Sequence, residues 1–137
     1  MNINNLKARI EQHEGKRKFP YKDQFDNITI GIGRNLSGAG LSNDEILYLY
    51  GNDVQNAIHD AYKVFGEYFN TLSDARQEVL IEMIFQLGIN RFRKFKETIE
   101  YIKSGEHEAA SREMMNSTWA QQVPKRASEL SKLYKKG

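Results

Sequence analysis

The chain contains no cysteine among its 137 residues. Disulfide bonds and thiolate-bound metals are therefore excluded, and a chain of this length depends on a hydrophobic core. No stretch approaches the roughly 18 apolar residues of a membrane-spanning helix, and the first residues lack the apolar segment of a secretion signal. The net charge is only +2, which is too small to indicate a nucleic-acid partner by itself.

The residues that are present predict one globular domain. Hydrophobic residues make up 39% and charged residues 28% of the sequence, which is ordinary for a folded protein. Basic residues cluster in three segments, at 16–22, 91–96 and 132–136. These clusters have two interpretations that the sequence leaves open: mild attraction to an anionic polymer, or lysines and arginines on a solvated surface.

The N-terminal third predicts a short helix followed by a β-hairpin. Apolar residues at helical spacing predict a helix over residues 3–13 that ends at Gly15. Isoleucines then alternate with small and polar residues, which is typical of a strand. Asp26 and Asn27 both tolerate a left-handed backbone, so we expect the hairpin to span residues 19–35 and to turn there.

The remaining sequence predicts helices. A capping box at Ser42 and Glu45 begins a helix of about 20 residues, and Ser73 begins a second, very apolar helix that ends at Gly88. Shorter helices are predicted near 91–103, at 106–115, and from Pro124 to about Tyr134. We therefore expect an α+β fold with a small lobe that contains the hairpin, a long helix, and a helical lobe.

Three polar residues of the hairpin region suggest an active site. Glu14 lies in the last turn of the first helix, where the backbone dipole disfavours a charged carboxylate, as suits a general acid. Asp23 lies beside Lys22 in a solvated setting that keeps it ionised. Thr29 shares a strand face with glycines, where a hydroxyl can hold a water molecule. Two carboxyl groups in different environments are the minimum for glycoside hydrolysis.

These features also have explanations that involve no catalytic function. Two acidic residues within ten positions occur in most proteins, and glycines in strands more often mark bulges or tight packing than a surface for a ligand. Judged by chemistry alone, the pattern is suggestive and no more.

The spacing of these residues resembles the signature of phage-type lysozymes, the endolysins. The matching positions are Glu14-Gly15, Tyr21, Asp23, Thr29, Gly31 and Gly33. Later segments are similar to motifs of the same family, and they extend the resemblance over nearly the whole chain. These segments are residues 33–35, 41–45, 52–54, 85–88, Trp119 and 124–127.

The resemblance implies a role for each of several residues. Glu14 would be the general acid, Asp23 would assist the attacking water or stabilise positive charge, and Thr29 would position that water. Arg126 would pair with the glutamate, and this pairing would favour its charged form. Phe85 and Gln86 would line the substrate cleft. Trp119 could stack on a sugar, but a single tryptophan among helical segments is more often core, and we expect it to be core.

The sequence also departs from the family pattern. Asp26 stands where the family usually has a turn glycine, so we expect an altered hairpin that still turns tightly. The segment between hairpin and long helix is shorter than in better-known members, and Arg34 replaces a histidine often found after the glycines. We expect a reduced small lobe over about residues 12–45 and a helical lobe from residues 1–11 and 65–137, together forming one lysozyme-like domain.

The implied function is a muramidase that cuts the β-1,4 bond between N-acetylmuramic acid and N-acetylglucosamine in peptidoglycan, with inversion, for bacterial lysis. We expect a monomer without cofactor or metal, with no nucleic-acid partner and no stable membrane insertion. By analogy with the family, it would accumulate in the host cytoplasm until a holin-type protein releases it. A lytic transglycosylase has a chemistry close to that of a muramidase. It forms an anhydro sugar and would also need Glu14.

Two rivals come from other classes. A non-hydrolytic wall-binding module could keep the fold, but such a binder has no use for the spacing of Glu14, Asp23 and Thr29. A basic nucleic-acid binder would need a recognition helix, and only residues 91–96 come near to one.

Overall fold

The computed structural model describes all 137 residues and has the predicted α+β fold. Its first part contains α1 (Ile3–Glu14), β1 (Arg17–Lys22), β2 (Ile28–Gly31) and β3 (Arg34–Asn35). Helix α2 (Asn43–Phe65) and a 3₁₀ helix (Gly66–Thr71) follow. The remaining helices are α3 (Asp74–Leu87), α4 (Ile89–Phe92), α5 (Lys96–Lys103), α6 (His107–Met115), α7 (Thr118–Gln122) and α8 (Pro124–Lys136). None of these helices combines the length and the apolar composition that crossing a membrane requires.

The chain divides into two compact units, Met1–Tyr48 and Leu49–Gly137. The first unit holds α1, the three strands and the start of α2, and the second unit holds all the later helices. The division into lobes that the sequence suggests, with residues 1–11 joined to the helical part, stays a prediction.

Helix α1 has a defined beginning and end. The side chain of Asn2 accepts a hydrogen bond from the Asn5 N–H at 2.9 Å, which caps the first turn. At the other end, Gly15 adopts φ +77° and its N–H bonds to the Glu11 carbonyl at 2.8 Å. A left-handed glycine ends a helix because it carries no Cβ to clash with the backbone. Glu14 is therefore the last helical residue.

The sheet has three strands, whereas the sequence predicts a two-stranded hairpin. Strands β1 and β2 pair antiparallel, with Tyr21 opposite Thr29, and β2 pairs with the two-residue β3, with Thr29 opposite Asn35. The predicted alternation stops early because Gly31 and Gly33 have φ values of +68° and +75°. The chain turns between these glycines, and Arg34 begins the third strand.

The second unit contains the hydrophobic core. Its largest fully buried side chains include Tyr134, Phe69 and Phe92. The polar atoms among them are satisfied, since the Tyr134 hydroxyl bonds to His107 at 2.8 Å and no buried side-chain nitrogen or oxygen lacks a partner. In contrast, Thr29 is the single buried residue of the first unit.

Most helix signals in the sequence are confirmed. Ser73 caps α3, with its Oγ 3.3 Å from the Arg76 N–H, and Pro124 occupies the first turn of α8. The helical structure predicted near 91–103 is interrupted, because α4 ends at Phe92 and α5 begins only at Lys96. The break allows Phe92 to be fully buried while Phe95 stacks on it at 6.1 Å between ring centroids.

Candidate active site

The Asp23 carboxylate is fixed by the turn that follows β1. Its Oδ1 accepts hydrogen bonds from the N–H groups of Phe25 and Asn27, both at 2.9 Å. Its Oδ2 has a weaker contact with the side-chain amide of Asn27 at 3.4 Å. The bond from the Asn27 backbone is the main reason that the pKa of Asp23 lies below its ordinary value of 3.8. The carboxylate therefore stays charged at neutral pH, as the sequence suggests.

The turn itself depends on Asp26. This residue adopts φ +63°, the left-handed conformation that is usually taken by glycine, and it is the one non-glycine residue of the chain that does so. The Asp26 N–H bonds to the Asp23 carbonyl at 3.0 Å, which closes the turn. An aspartate can thus replace the family's turn glycine, and the hairpin closes as we expect from the sequence.

Thr29 is oriented by the same turn. Its side chain is only 3% exposed, and its hydroxyl donates a hydrogen bond to the Asn27 carbonyl at 3.0 Å. Because the hydroxyl proton is used in this bond, the remaining lone pairs of Oγ1 can only accept hydrogen bonds. Asn27 therefore links Asp23 to Thr29. Its backbone N–H donates to the Asp23 carboxylate, and its carbonyl accepts a hydrogen bond from the Thr29 hydroxyl.

Glu14 lies against Gly33. A Cβ atom built on Gly33 would be 3.0 Å from Glu14 Oε2 and 3.1 Å from its Cδ, so the absence of a side chain leaves room for the carboxyl group. Gly33 also needs its positive φ for the turn into β3. The first unit thus contains all three predicted catalytic residues: Glu14 on α1, Asp23 in the turn and Thr29 on β2.

The three predicted substrate-binding residues belong to the second unit. Phe85 on α3 is 42% exposed, and its ring meets the edge of Tyr50 with centroids 6.0 Å apart. Gln86 accepts a hydrogen bond from the indole N–H of Trp119 at 3.0 Å. Trp119 is 3% exposed and packs edge-to-face with Phe95. The expectation that this tryptophan is core is confirmed.

Arg126, at the start of α8, has a partner within its own unit. Its Nε donates to Glu82 Oε2 at 2.9 Å, and both side chains are partly exposed. Solvent screens such a pair, so it contributes little to stability. The pairing of Arg126 with Glu14 that the family resemblance implies stays a prediction.

A cavity of about 800 Å³ opens in the second unit beside Trp119. Three cations contribute to its lining, namely Arg91, Lys94 and Lys96, together with two carboxylates, Glu97 and Glu113. The cations come from α4, the connecting segment and the start of α5. The basic segment 91–96 therefore lines one part of a cavity and does not form one continuous helix.

The site includes residues that sequence reasoning did not assign to it. The sequence indicates Asn27 as a turn residue and Gly33 as a glycine on the strand face of Thr29, but gives neither a contact with a catalytic residue. Their roles depend on backbone groups and on a missing side chain, which the spacing of residue types does not reveal. No group of three or more His, Cys, Asp or Glu side chains is arranged to hold a metal ion.

Comparison with known proteins identifies the family. The model of the phage lysozyme family matches residues 11–135. Probable T4-type lysozyme 2 of Dictyostelium discoideum is 25% identical over 168 aligned positions, which cover 98% of this chain and 96% of that protein. Peptidoglycan hydrolase gp36 of Pseudomonas phage phiKMV is 30% identical over 129 residues, which cover 90% of this chain and 14% of that protein.

The matched region takes in every predicted catalytic residue and nearly the whole chain. The protein belongs to the phage lysozyme family, and it is an enzyme, a glycoside hydrolase of the lysozyme type. A further relative, the pre-baseplate central spike protein Gp5 of Enterobacteria phage T4, is 26% identical over 104 residues, covering 73% of this chain and 18% of that protein.

Proposed function

We propose that this enzyme hydrolyses the β-1,4 bond between N-acetylmuramic acid and N-acetylglucosamine in bacterial peptidoglycan, by acid–base catalysis with inversion. The observation that carries the proposal is the arrangement around Asn27, which holds a charged carboxylate and a buried hydroxyl together. The first unit adds a carboxyl group, Glu14, at the end of a helix. The peptidoglycan hydrolase named among the relatives supports this substrate.

Glu14 is the general acid in this proposal. It must be protonated to give its proton to the leaving glycosidic oxygen. Gly33 has no side chain that would displace the carboxyl group, so Glu14 keeps its position beside the turn into β3. An oriented acid lowers the entropy cost of the transition state.

Asp23 and Thr29 act together on the attacking water. The Thr29 hydroxyl donates to Asn27, so it can only accept a hydrogen from the water. The Asp23 carboxylate, kept ionised by backbone N–H groups, accepts the other hydrogen. The water then has both hydrogens engaged and a lone pair free for the anomeric carbon. Attack by water on the face opposite the leaving group inverts the configuration.

The second unit supplies substrate contacts in this proposal. The exposed ring of Phe85 offers an apolar surface to the carbon face of a sugar, and Gln86 offers an amide. Arg126 would offer its N–H donors to the substrate. The cations of segment 91–96 suit a cell wall that carries negative charge.

We further propose that the enzyme works as a monomer without cofactor or nucleic-acid partner, and serves bacterial lysis. It would collect in the host cytoplasm and reach the wall after a separate holin-type protein permeabilises the membrane. The discontinuity between α4 and α5 supports the exclusion of nucleic acid, since segment 91–96 does not form a recognition helix.

The test is turnover of purified peptidoglycan by the wild type, Glu14→Gln and Glu11→Gln, with products identified by mass. Glu11 lies on the same helix, is exposed, and makes no side-chain bond, so it is a matched control. We expect reducing muramic acid from the wild type and Glu11→Gln, and a loss of at least about 10³-fold in Glu14→Gln. Anhydro products would identify a transglycosylase, and wall binding without turnover would identify a binder.

A further inference from the structure

Arg34 forms a bidentate ion pair with Glu45, which closes the short segment between the sheet and α2. Its Nη1 donates to Glu45 Oε1 at 2.6 Å, and its Nη2 lies 2.5 Å from Glu45 Oε2. Nη1 also donates to the Gly40 carbonyl at 3.2 Å. A planar guanidinium that meets both oxygens of a carboxylate fixes distance and orientation together.

Glu45 is itself anchored to the start of α2. Its Oε1 accepts the Ser42 N–H at 2.8 Å, while the Glu45 N–H bonds to Ser42 Oγ at 3.2 Å, the reciprocal pattern of a capping box. The hydrogen bond from Arg34 is the main cause that lowers the pKa of Glu45 to about 2. Both partners are therefore charged at any pH near neutrality.

The other end of this connection reaches the proposed catalytic residues. Arg34 and Asn35 form β3, in which Arg34 is opposite Ile30 and Asn35 is opposite Thr29. The residue before Arg34 is Gly33, whose backbone lies against the Glu14 carboxyl group. One two-residue strand thus borders the general acid on one side and the water-holding threonine on the other.

We propose that the Arg34–Glu45 pair is a positioning device, which holds β3 so that Gly33 and Asn35 keep Glu14 and Thr29 in their catalytic orientations. The inference depends on the function proposed above. Arg34 acts only through β3, so it is a positioning residue and not a catalytic one.

The effect should appear in catalysis more than in stability. The side chains of Arg34 and Glu45 are 39% and 37% exposed, and partly exposed ion pairs contribute little to the free energy of unfolding. In contrast, a displacement of about 1 Å in a catalytic group can lower the rate by about 100-fold. Loss of the pair should therefore lower kcat by roughly 10- to 100-fold, with KM changed by less than about threefold.

Four variants test this inference on soluble peptidoglycan fragments: Arg34→Ala, Arg34→Lys, Glu45→Gln and the charge-reversed Arg34→Glu/Glu45→Arg. Lysine keeps the charge but cannot form two parallel bonds, so Arg34→Lys should lose most of the kcat that Arg34→Ala loses. The reversed pair restores an ion pair but loses the bond from the Ser42 N–H to residue 45, so it should recover only part of the kcat. Arg112→Ala is the control, because Arg112 has an exposed ion pair with Glu108 on α6 and should keep wild-type kcat.

The thermal midpoint of each variant is measured beside its kinetics, and assays are run well below every midpoint. A selective fall in kcat for Arg34→Ala, Arg34→Lys and Glu45→Gln supports the inference. Wild-type kcat in all three, with Glu14→Gln inactive, overturns the positioning role and leaves the proposed function intact. A wild type without turnover overturns both. A kcat loss that disappears at lower temperature overturns the inference in favour of a stabilising role.

Discussion

Asn27 donates its backbone N–H to Asp23 Oδ1 at 2.9 Å, and the same residue accepts the hydroxyl of Thr29 through its carbonyl at 3.0 Å. The two proposed partners of the attacking water are thus fixed by opposite ends of one residue. Neither bond involves the Asn27 side chain, whose amide makes only the 3.4 Å contact with Asp23. Substitutions at Asn27 can therefore change the charge near Asp23 while the backbone bonds remain.

Asn27→Asp should move the acidic limb of the pH–rate profile to higher pH. A second carboxylate beside Asp23 raises the pKa of Asp23, because like charges disfavour ionisation. Below about pH 4, kcat/KM should fall several-fold further than in the wild type. Asn27→Ala removes only the weak amide contact and should leave the limb close to its original position. Identical profiles for the two variants would contradict a role for Asp23 as an ionised base.

Thr29→Val should abolish most activity with little loss of stability. The methyl group fills the place of the hydroxyl, and the Asn27 carbonyl still accepts the Asp23 N–H at 3.0 Å. We expect the free energy of unfolding to fall by about 1 kcal/mol, and kcat to fall by about 100-fold. Thr29→Ser, which restores a hydroxyl, should recover much of the rate.

Ser131→Ala is the matched control for Thr29→Val. Ser131 is a buried hydroxyl in the second unit that donates to the Ser128 carbonyl at 3.2 Å. Its loss should cost a similar free energy of unfolding in a urea titration and leave kcat unchanged. Equal losses of kcat in the two variants would mean that Thr29→Val lowers kcat because it destabilises the protein.

Gly33→Ala should impair catalysis more than its effect on stability explains. The new methyl group would approach Glu14 Oε2 at 3.0 Å, so the carboxyl group must move. Gly105→Ala is the control, because Gly105 has a similar φ of +77° and no atom within 4 Å of the added Cβ. Both should lose about 1 kcal/mol of stability from backbone strain. Only Gly33→Ala should lower kcat, by about 100-fold; comparable kcat values would refute the contact.

The stability of the second unit should fall as the pH drops through the ordinary range of histidine. Burial lowers the pKa of His107 below 6.5, with the charge of Arg76 as a smaller cause. Below that pH the unfolded chain binds a proton that the folded chain binds less readily, so protonation favours unfolding. Other charged groups line the same cavity as His107, namely Arg76, Glu106, Glu108, Arg112 and Lys135.

Urea midpoints at about pH 5 and about pH 7.5 check this dependence. The wild type should lose more stability between the two values than His107→Gln, which has no proton to bind there. An equal change in both proteins would show that another group causes the pH dependence.

The elements that the sequence predicts correctly are those set by local signals. Ser42 with Glu45, Ser73 and Pro124 each act within one helical turn, so their effect is visible in a few residues. A single tryptophan among helical segments predicts a core residue, and Trp119 is buried. The catalytic roles of Glu14, Asp23 and Thr29, which the fixed spacing suggests, stay predictions.

The features that sequence reasoning missed depend on residues that are distant in sequence. Strand β3 has only two residues and follows glycines with positive φ, which an alternating pattern does not encode. The pairing of Arg34 with Glu45 spans 11 positions, and the contact of Gly33 with Glu14 joins a helix end to a turn. Likewise, the capping box that begins α2 does not indicate that Ile46 and Tyr50 are exposed while Ala57 and Ala61 of the same helix are buried.

The configuration of the first product tests the central claim most directly. Soluble peptidoglycan fragments are cleaved in a nuclear magnetic resonance tube, and the anomeric proton of the new muramic acid end is followed before mutarotation. Direct attack by a water held between Asp23 and Thr29 predicts that the α anomer forms first from the β bond. The β anomer appearing first, or a product without a reducing end, would contradict the proposed mechanism.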